Sequence, residues 1–479
     1  MIVTRDPIQD AFGTLARRRA DHVLVVSPDG AATIGEVDAL AHTLAAMLRG
    51  TGLPEDGLVG LAAANGPAFL AGFLAVRSAG HGIILLDASA PDTDRRRTVA
   101  ALGAAALLTC GTGWPRDIGD WALTPIPVAD KIEPQRIEGL PIVKVTSGST
   151  GLPRGVVASA ENVCADEEAL FATMGLRDAE RILAAIPMAH SYGFSSVALP
   201  ALLRGSPVVV PEAGSPLAPL EAAHAWDATF FPTVPAYLQG LLGLARPEAW
   251  PPSVCLVISA GALLPPATAA GFREVYGQPV HCFYGASECG GICYDREGGA
   301  AERGTVGTPV DGVTIELEPL PGTAEDQGVV TVSSAAVARG YLQDSDVRLA
   351  GGRFRASDRG AWESGELRLL GRIDGLINVK GRKVDPGEVE KVLAELDGVL
   401  EVVVLGIPSR LDGSEVVRAV VACRPDALAA DDVLAFCRDR LAEHKRPRSV
   451  RLVTGIPRTA SGKVDRQALL ALEGPTSSP

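Results

Sequence analysis

A chain of 479 residues is too long for one hydrophobic core and is expected to divide into two or three domains. Its 47% hydrophobic and 21% charged residues describe an ordinary soluble globular protein. The net charge of −13, from 44 basic against 57 acidic residues, argues against a nucleic-acid surface.

Met1–Asp10 carries charges and lacks the apolar core of a secretory signal. Thr33-Ile34-Gly35-Glu36 has the form of a capping box, after which Val37, Leu40, Ala41, Leu44 and Leu48 recur at helical spacing. Leu58 to Val76 holds no acidic or basic residue and has the length of a membrane span. Asn65-Gly66-Pro67 interrupts it, so a buried strand followed by a helix from Pro67 is expected, and no membrane span. Gly82–Leu86, Pro207–Val210 and Leu256–Ile258 read as buried parallel strands. Such strand and helix alternation predicts an α/β fold: a large N-terminal domain of mostly parallel sheets with packed helices, and ligand loops at the carboxyl ends of strands.

The pattern changes at Gly371-Arg372-Ile373-Asp374-Gly375, which marks a domain boundary. A small α+β domain is expected beyond it. Asp385-Pro386-Gly387-Glu388 opens a helix to about Leu396, Val399–Leu405 and Val416–Val421 read as strands, and Asp431–Leu441 as a second helix. The domains are therefore set at 1–372 and 376–479, with 373–375 between them. The eight cysteines are scattered without a CxxC pair, and Cys289 and Cys293 have no companion ligands at a structural-zinc spacing. Reduced thiols and a cytoplasmic enzyme are the expectation.

Thr146-Ser147-Gly148-Ser149-Thr150-Gly151-Leu152-Pro153-Arg154-Gly155-Val156 is the most informative stretch. It follows Ile142 to Val145, read as an apolar segment. Glycine backbone can bend toward a polyphosphate and present its N–H groups. The hydroxyls add donors, and Arg154 can neutralise charge through its fork. The stretch lacks the Gly-Lys-Ser/Thr of a Walker A loop. It resembles the phosphate loop of the adenylate-forming superfamily, which comprises acyl- and aryl-CoA synthetases, adenylation domains of peptide synthetases, and luciferases. Most relatives carry lysine where Arg154 stands. Both side chains can neutralise the phosphates, so the exchange is expected to be tolerated.

Further motifs carry the same resemblance over residues 10 to 470. Tyr284-Gly285-Ala286-Ser287-Glu288 is similar to the superfamily's Tyr-Gly-x-Thr-Glu. It implies that Tyr284 stacks on adenine, Ser287 reaches the α-phosphate and Glu288 ligates Mg²⁺. Gly261 and Ala262, in Ser259-Ala260-Gly261-Ala262, resemble the small-residue turn against adenine. Asp358 and Arg372 stand where the family contacts the ribose, although Ala356-Ser357 replaces Thr-Gly before Asp358. Pro457 to Lys463 resembles Pro-x-x-x-x-Gly-Lys, which makes Lys463 the cation at the carboxylate and α-phosphate. Asp374 takes the place of the family's hinge residue, and the small domain is expected to be mobile. Lys380, Gly381 and Arg382 take the place of the loop that approaches during thioester formation.

Pro187-Met188-Ala189-His190-Ser191-Tyr192-Gly193 resembles the Pro-x-x-His-x-x-Gly form of acyl- and aryl-CoA ligases, with His190 as a gate beside the acid. Tyr192 stands where amino-acid-activating domains hold an aspartate, so an α-amino acid is disfavoured, since a buried ammonium needs an anionic partner. Phe194, Phe231 and Gly290 are expected around the acid pocket, with the glycines after Glu288 leaving room along one wall. The resemblance implies ATP, Mg²⁺ and a small carboxylic acid, with CoA favoured as the thiol acceptor. An acyl carrier protein as acceptor, and a catalytically silent nucleotide-binding homologue, stay open.

Overall fold

The computed structural model describes the chain apart from residues 1–5, 128–138, 148–152, 213, 245, 247–248, 321–325, 344–345, 347, 374–376, 380–381, 409–414, 426, 439, 460–463 and 473–479. The side chains of residues 147, 378, 382, 383 and 408 are also outside the description. Contacts divide the chain into two compact units: 1–316 with 331–355 and 363–367, and 317–330 with 356–362 and 368–479.

Two sheets of the first unit carry its site. In the nine-stranded sheet, Ile182–Leu183, Phe230–Thr233, Leu256–Ser259 and His281–Ala286 run parallel, and Gly290–Tyr294 turns back antiparallel. In the seven-stranded sheet, Leu58–Ala62, Gly82–Leu85, Ala106–Cys110 and Ile142–Ser147 are parallel. Pro153–Ala158 then folds back antiparallel on Ile142–Ser147. Leu58–Ala62 and Gly82–Leu85 are buried along their whole length, as uninterrupted aliphatic strands covered on both faces must be.

Local chemistry sets the element boundaries. The Thr33 hydroxyl accepts from Glu36 N–H and the Glu36 carboxylate accepts from Thr33 N–H, closing the capping box before helix Ile34–Arg49. Pro67 opens helix Pro67–Ser78 at the first helical position, directly after the Asn65-Gly66 break. Residues 67–77 of that helix are buried, which accounts for the apolar run 67–76, while Arg77 pairs with Asp6. Among the described residues, no helix is long and apolar enough to cross a membrane.

In the second unit, Val399–Pro408 pairs antiparallel with Glu415–Cys423, and Ser449–Val453 joins the latter in parallel. Helices Pro386–Leu393 and Ala430–Arg438 pack on this sheet through Val389, Leu393 and Val433 against Val404, Val417 and Val421. The first of these helices stops before the expected Leu396. The N–H groups of Glu395 and Leu396 bond three residues back, to Val392 and Leu393, which tightens the last turn out of α geometry.

Candidate active site

The strands that flank the phosphate-loop motif, Ile142–Ser147 and Pro153–Ala158, pair antiparallel. Thr146 lies opposite Arg154 and Ser147 opposite Pro153, while Gly148, Ser149, Thr150 and Gly151 lie outside the described residues. The loop thus leads into a strand, and the next helix, Ala160–Thr173, begins only after Ser159. No helix begins at the described ends of this loop, so Arg154 is the described cation beside it. The Arg154 guanidinium donates to Asp346 Oδ2 at 2.9 Å and lies 3.5 Å from the ring centroid of Tyr341.

Asn65 ties the two sheets together. Its amide donates to the carbonyls of Ala184 and Ile186 at 3.0 and 2.8 Å, and its oxygen accepts from Met188 N–H at 2.8 Å. This fixes the segment that delivers His190. Gly193 approaches the Pro187 carbonyl so closely that a Cβ would overlap it, which explains both ends of the Pro-x-x-His-x-x-Gly motif. His190 Nε2 lies 3.1 Å from Asp87 Oδ2, beyond the carboxyl end of strand Gly82–Leu85. The histidine, followed by the Ser89 hydroxyl and N–H, holds the Asp87 carboxyl well below the usual carboxylate range.

Ser191 Oγ donates to Ser287 Oγ at 2.7 Å, joining the His190 segment to the Tyr-Gly-x-Ser-Glu motif. Tyr284, Gly285 and Ala286 end their strand, and Ser287 and Glu288 form the turn beyond it. Tyr341 Oη donates to Glu288 Oε1 at 3.0 Å, and the Glu288 carbonyl accepts from Ala338 N–H at 2.8 Å. Glu288 Oε2 accepts no hydrogen bond from any described residue. One carboxylate oxygen is thus anchored and the other remains for a hard cation, so the donor chemistry fits Mg²⁺. Gly261, in the left-handed region at φ +83°, and Ala262 are exposed at the carboxyl end of Leu256–Ser259.

Tyr192 is a neutral partner. Its hydroxyl donates to the Ile258 carbonyl at 3.3 Å, its ring lies 5.6 Å from that of Phe283, and burial pushes its pKa well upward. Three other residues expected at the acid pocket are placed as follows. Phe194 is 0% exposed and packs against Phe69 and Phe73, while Phe231 is 0% exposed among Tyr237 and Trp250. Both belong to the core. Gly290 adopts φ +71°, and a Cβ there would overlap the Asp166 carboxylate. The glycine leaves room for the Asp166 side chain of helix Ala160–Thr173. Asp166, 4% exposed, accepts from Gly291 N–H at 2.8 Å and Ser195 Oγ at 2.6 Å.

The segment read as apolar carries Lys144, only 3% exposed. Burial lowers its pKa, opposed by the charges of Asp166, Cys289 and Glu288. Strand alternation between Val143 and Val145 was the available signal for an inward-facing cation. Asp87, Asn65 and Tyr341 carried no such signal, being far in sequence from the groups they hold. Thiols near the motif offer no nucleophile: burial pushes Cys282 up to about 12 and Cys289 well above the ordinary range.

In the second unit, Asp358 lies on strand Arg353–Glu363 and Arg372 closes strand Glu366–Arg372. Ile373 N–H donates to the Ser357 carbonyl at 2.7 Å, bringing those two strand segments together. Arg359 pairs with Asp385, whose carboxylate also caps helix Pro386–Leu393 through Gly387 N–H. Asp374, Lys380, Gly381 and Lys463 lie outside the described residues, as does the side chain of Arg382.

Residues 12–342 match the AMP-binding enzyme family, and residues 388–463 match the AMP-binding enzyme C-terminal domain. The chain belongs to the AMP-binding enzyme family. It is 30% identical to a probable CoA ligase from Humulus lupulus over 67% of this chain, an alignment spanning 64% of that relative, less than two thirds of its length. With a feruloyl-CoA synthase from Amycolatopsis sp the identity is 28%, over 93% of this chain and 95% of the relative. The solved structure of an amide bond synthetase from Marinactinospora thermotolerans has a TM-score of 0.78 and 27% identity, covering 97% of this chain and 99% of that one. The AMP-binding enzyme match ends one residue past Tyr341, so the phosphate loop, Glu288 and Tyr341 fall within one matched stretch.

Proposed function

We propose that this chain is an AMP-forming acid–thiol ligase acting on a non-amino carboxylic acid. A carboxylate oxygen attacks the α-phosphorus of ATP, pyrophosphate leaves, and the resulting acyl-adenylate is attacked by a thiol with loss of AMP. The observation that carries this reading is the chain of contacts joining Arg154, Tyr341, Glu288, Ser287, Ser191 and His190. It supports reading Arg154, Glu288 and His190 as a phosphate-loop cation, a cation-ready carboxylate and an acid gate of one site.

In this reading Arg154 and the loop N–H groups bind the β- and γ-phosphates, and Ser287 meets the α-phosphate. Glu288 holds magnesium, which when bound neutralises the phosphate oxygens. His190, oriented by Asp87, borders the acid, and Tyr192 leaves no anion for an ammonium. Gly261, Ala262 and Tyr284 take the adenine, Asp358 and Arg372 the ribose, and Lys463 the charge that builds at the α-phosphorus. Lys380, Gly381 and Arg382 serve the thioester step by a rearrangement about Asp374.

CoA is the proposed acceptor, a choice supported by the names of the relatives. Mass spectrometry of reactions with ATP, an acid panel and CoA, a carrier protein or an amine tests it. An acyl-CoA product is expected. Product only with the carrier protein or the amine would reassign the acceptor, and ATP binding without any product would favour a silent homologue.

A further inference from the structure

We propose that Tyr341 is a positioning residue for Glu288, and that Arg154 holds Tyr341 in place by stacking on its ring; this rests on the nucleotide-activating reading above. The Tyr341 hydroxyl donates to Glu288 Oε1 at 3.0 Å, which fixes the carboxylate's rotation and leaves Oε2 for the cation. A hydrogen bond to an ionised acceptor is among the stronger positioning contacts a side chain can make. The ring that carries this hydroxyl is itself held. Arg154 Cζ lies 3.5 Å from its centroid, close enough for a planar cation to stack.

The backbone clasp is equally specific. Gly340 and Tyr341 pair antiparallel with Val157 and Val156, on the strand that leaves the phosphate loop. Leu342 N–H donates to the Gly155 carbonyl at 2.8 Å, and Gln343 accepts from Gly155 N–H and donates to the Pro153 carbonyl at 3.1 and 2.8 Å. Asp346 completes the arrangement by receiving Arg154 at 2.9 Å and Arg348 at 2.6 Å. The phosphate-loop strand and the cation-binding carboxylate are thus coupled through one aromatic side chain. Arginine at position 154 follows from the same geometry, because an ammonium offers charge but no plane to lie on the ring.

The test is ATP binding by calorimetry to the full chain, with and without Mg²⁺, for wild type, Tyr341→Phe and Glu288→Gln. Phenylalanine keeps the ring under Arg154 and removes only the hydroxyl. The affinity of Tyr341→Phe for metal-free ATP is expected to match wild type. Its gain in affinity from Mg²⁺ is expected to fall about tenfold, toward that of Glu288→Gln. An unchanged Mg²⁺ gain in Tyr341→Phe overturns the proposal, and so does a loss of metal-free affinity as large as the loss with Mg²⁺, which marks a general structural defect. Wild type that binds no ATP under either condition defeats the nucleotide reading itself, a different result from either of these.

Discussion

Gly290→Ala separates two explanations of the glycines after Glu288. At φ +71° an alanine meets the left-handed penalty of about 1–2 kcal/mol. Its Cβ also overlaps Asp166, whose Oδ2 would lie 2.7 Å away and whose Oδ1 would be closer still. Asp166 must move, which breaks its hydrogen bonds with Gly291 N–H and Ser195 Oγ. Bonds to a charged acceptor are worth about 1.5–3 kcal/mol each, and partial relaxation recovers some of that. The expected cost is roughly 3–5 kcal/mol, a large share of the ~5–15 kcal/mol that holds a typical domain. Urea denaturation followed by tryptophan fluorescence reads it directly. In an Asp166→Ala background the steric part disappears, and Gly290→Ala should then cost only about 1–2 kcal/mol. A loss below about 1 kcal/mol in the otherwise wild-type chain, accompanied by a changed acid preference, would refute the packing account and return Gly290 to the acid pocket.

Arg154→Lys is expected to raise the KM for ATP about five- to tenfold, since lysine keeps the charge but loses the stack on Tyr341; steady-state kinetics equal to wild type would contradict this. Charge alone predicts tolerance of this exchange, whereas loss of the ring contact predicts the higher KM. Lys144→Met should destabilise by about 1–3 kcal/mol, because Asp166 loses a buried counter-charge, and adding Asp166→Asn should recover part of the loss. Strict additivity in that denaturation cycle would show that the two groups do not interact. Asp87, held low by His190, binds protons less readily folded than unfolded. Its contribution is complete above the ordinary aspartate value of about 4 and is lost as pH falls through the lower folded value. Asp87→Asn should therefore flatten the acid limb of stability below about pH 4, and an unchanged limb would rule out this linkage.

Local rules were readable from the chain, and non-local ones were not. The Thr33 and Glu36 box and the Asn65-Gly66-Pro67 break depend on residues three or fewer positions apart, so their structures follow from adjacency. Motif recognition placed His190, Ser287, Glu288 and Arg154, and the structure joins them through Ser191 and Tyr341. What escaped was distant complementarity. Gly290 suggests open space until Asp166, more than a hundred residues earlier, is seen to occupy it. Phe194 and Phe231 have the composition of a pocket wall, yet aromatic side chains equally fill a core, and their neighbours Phe69, Phe73 and Trp250 are too distant in sequence to be read there. Lys144 passed as part of an apolar strand because its compensating charges come from a helix and a turn elsewhere in the chain.

Acid-dependent exchange of labelled pyrophosphate into ATP reports adenylate formation without needing the acceptor. A panel of fatty, aryl and amino acids should give exchange with at least one non-amino acid, stronger than with the matching α-amino acid, and Glu288→Gln should abolish most of it. Adenylation of a non-amino acid is contradicted if no acid supports exchange while ATP still binds, or if an α-amino acid is preferred despite the neutral phenol of Tyr192.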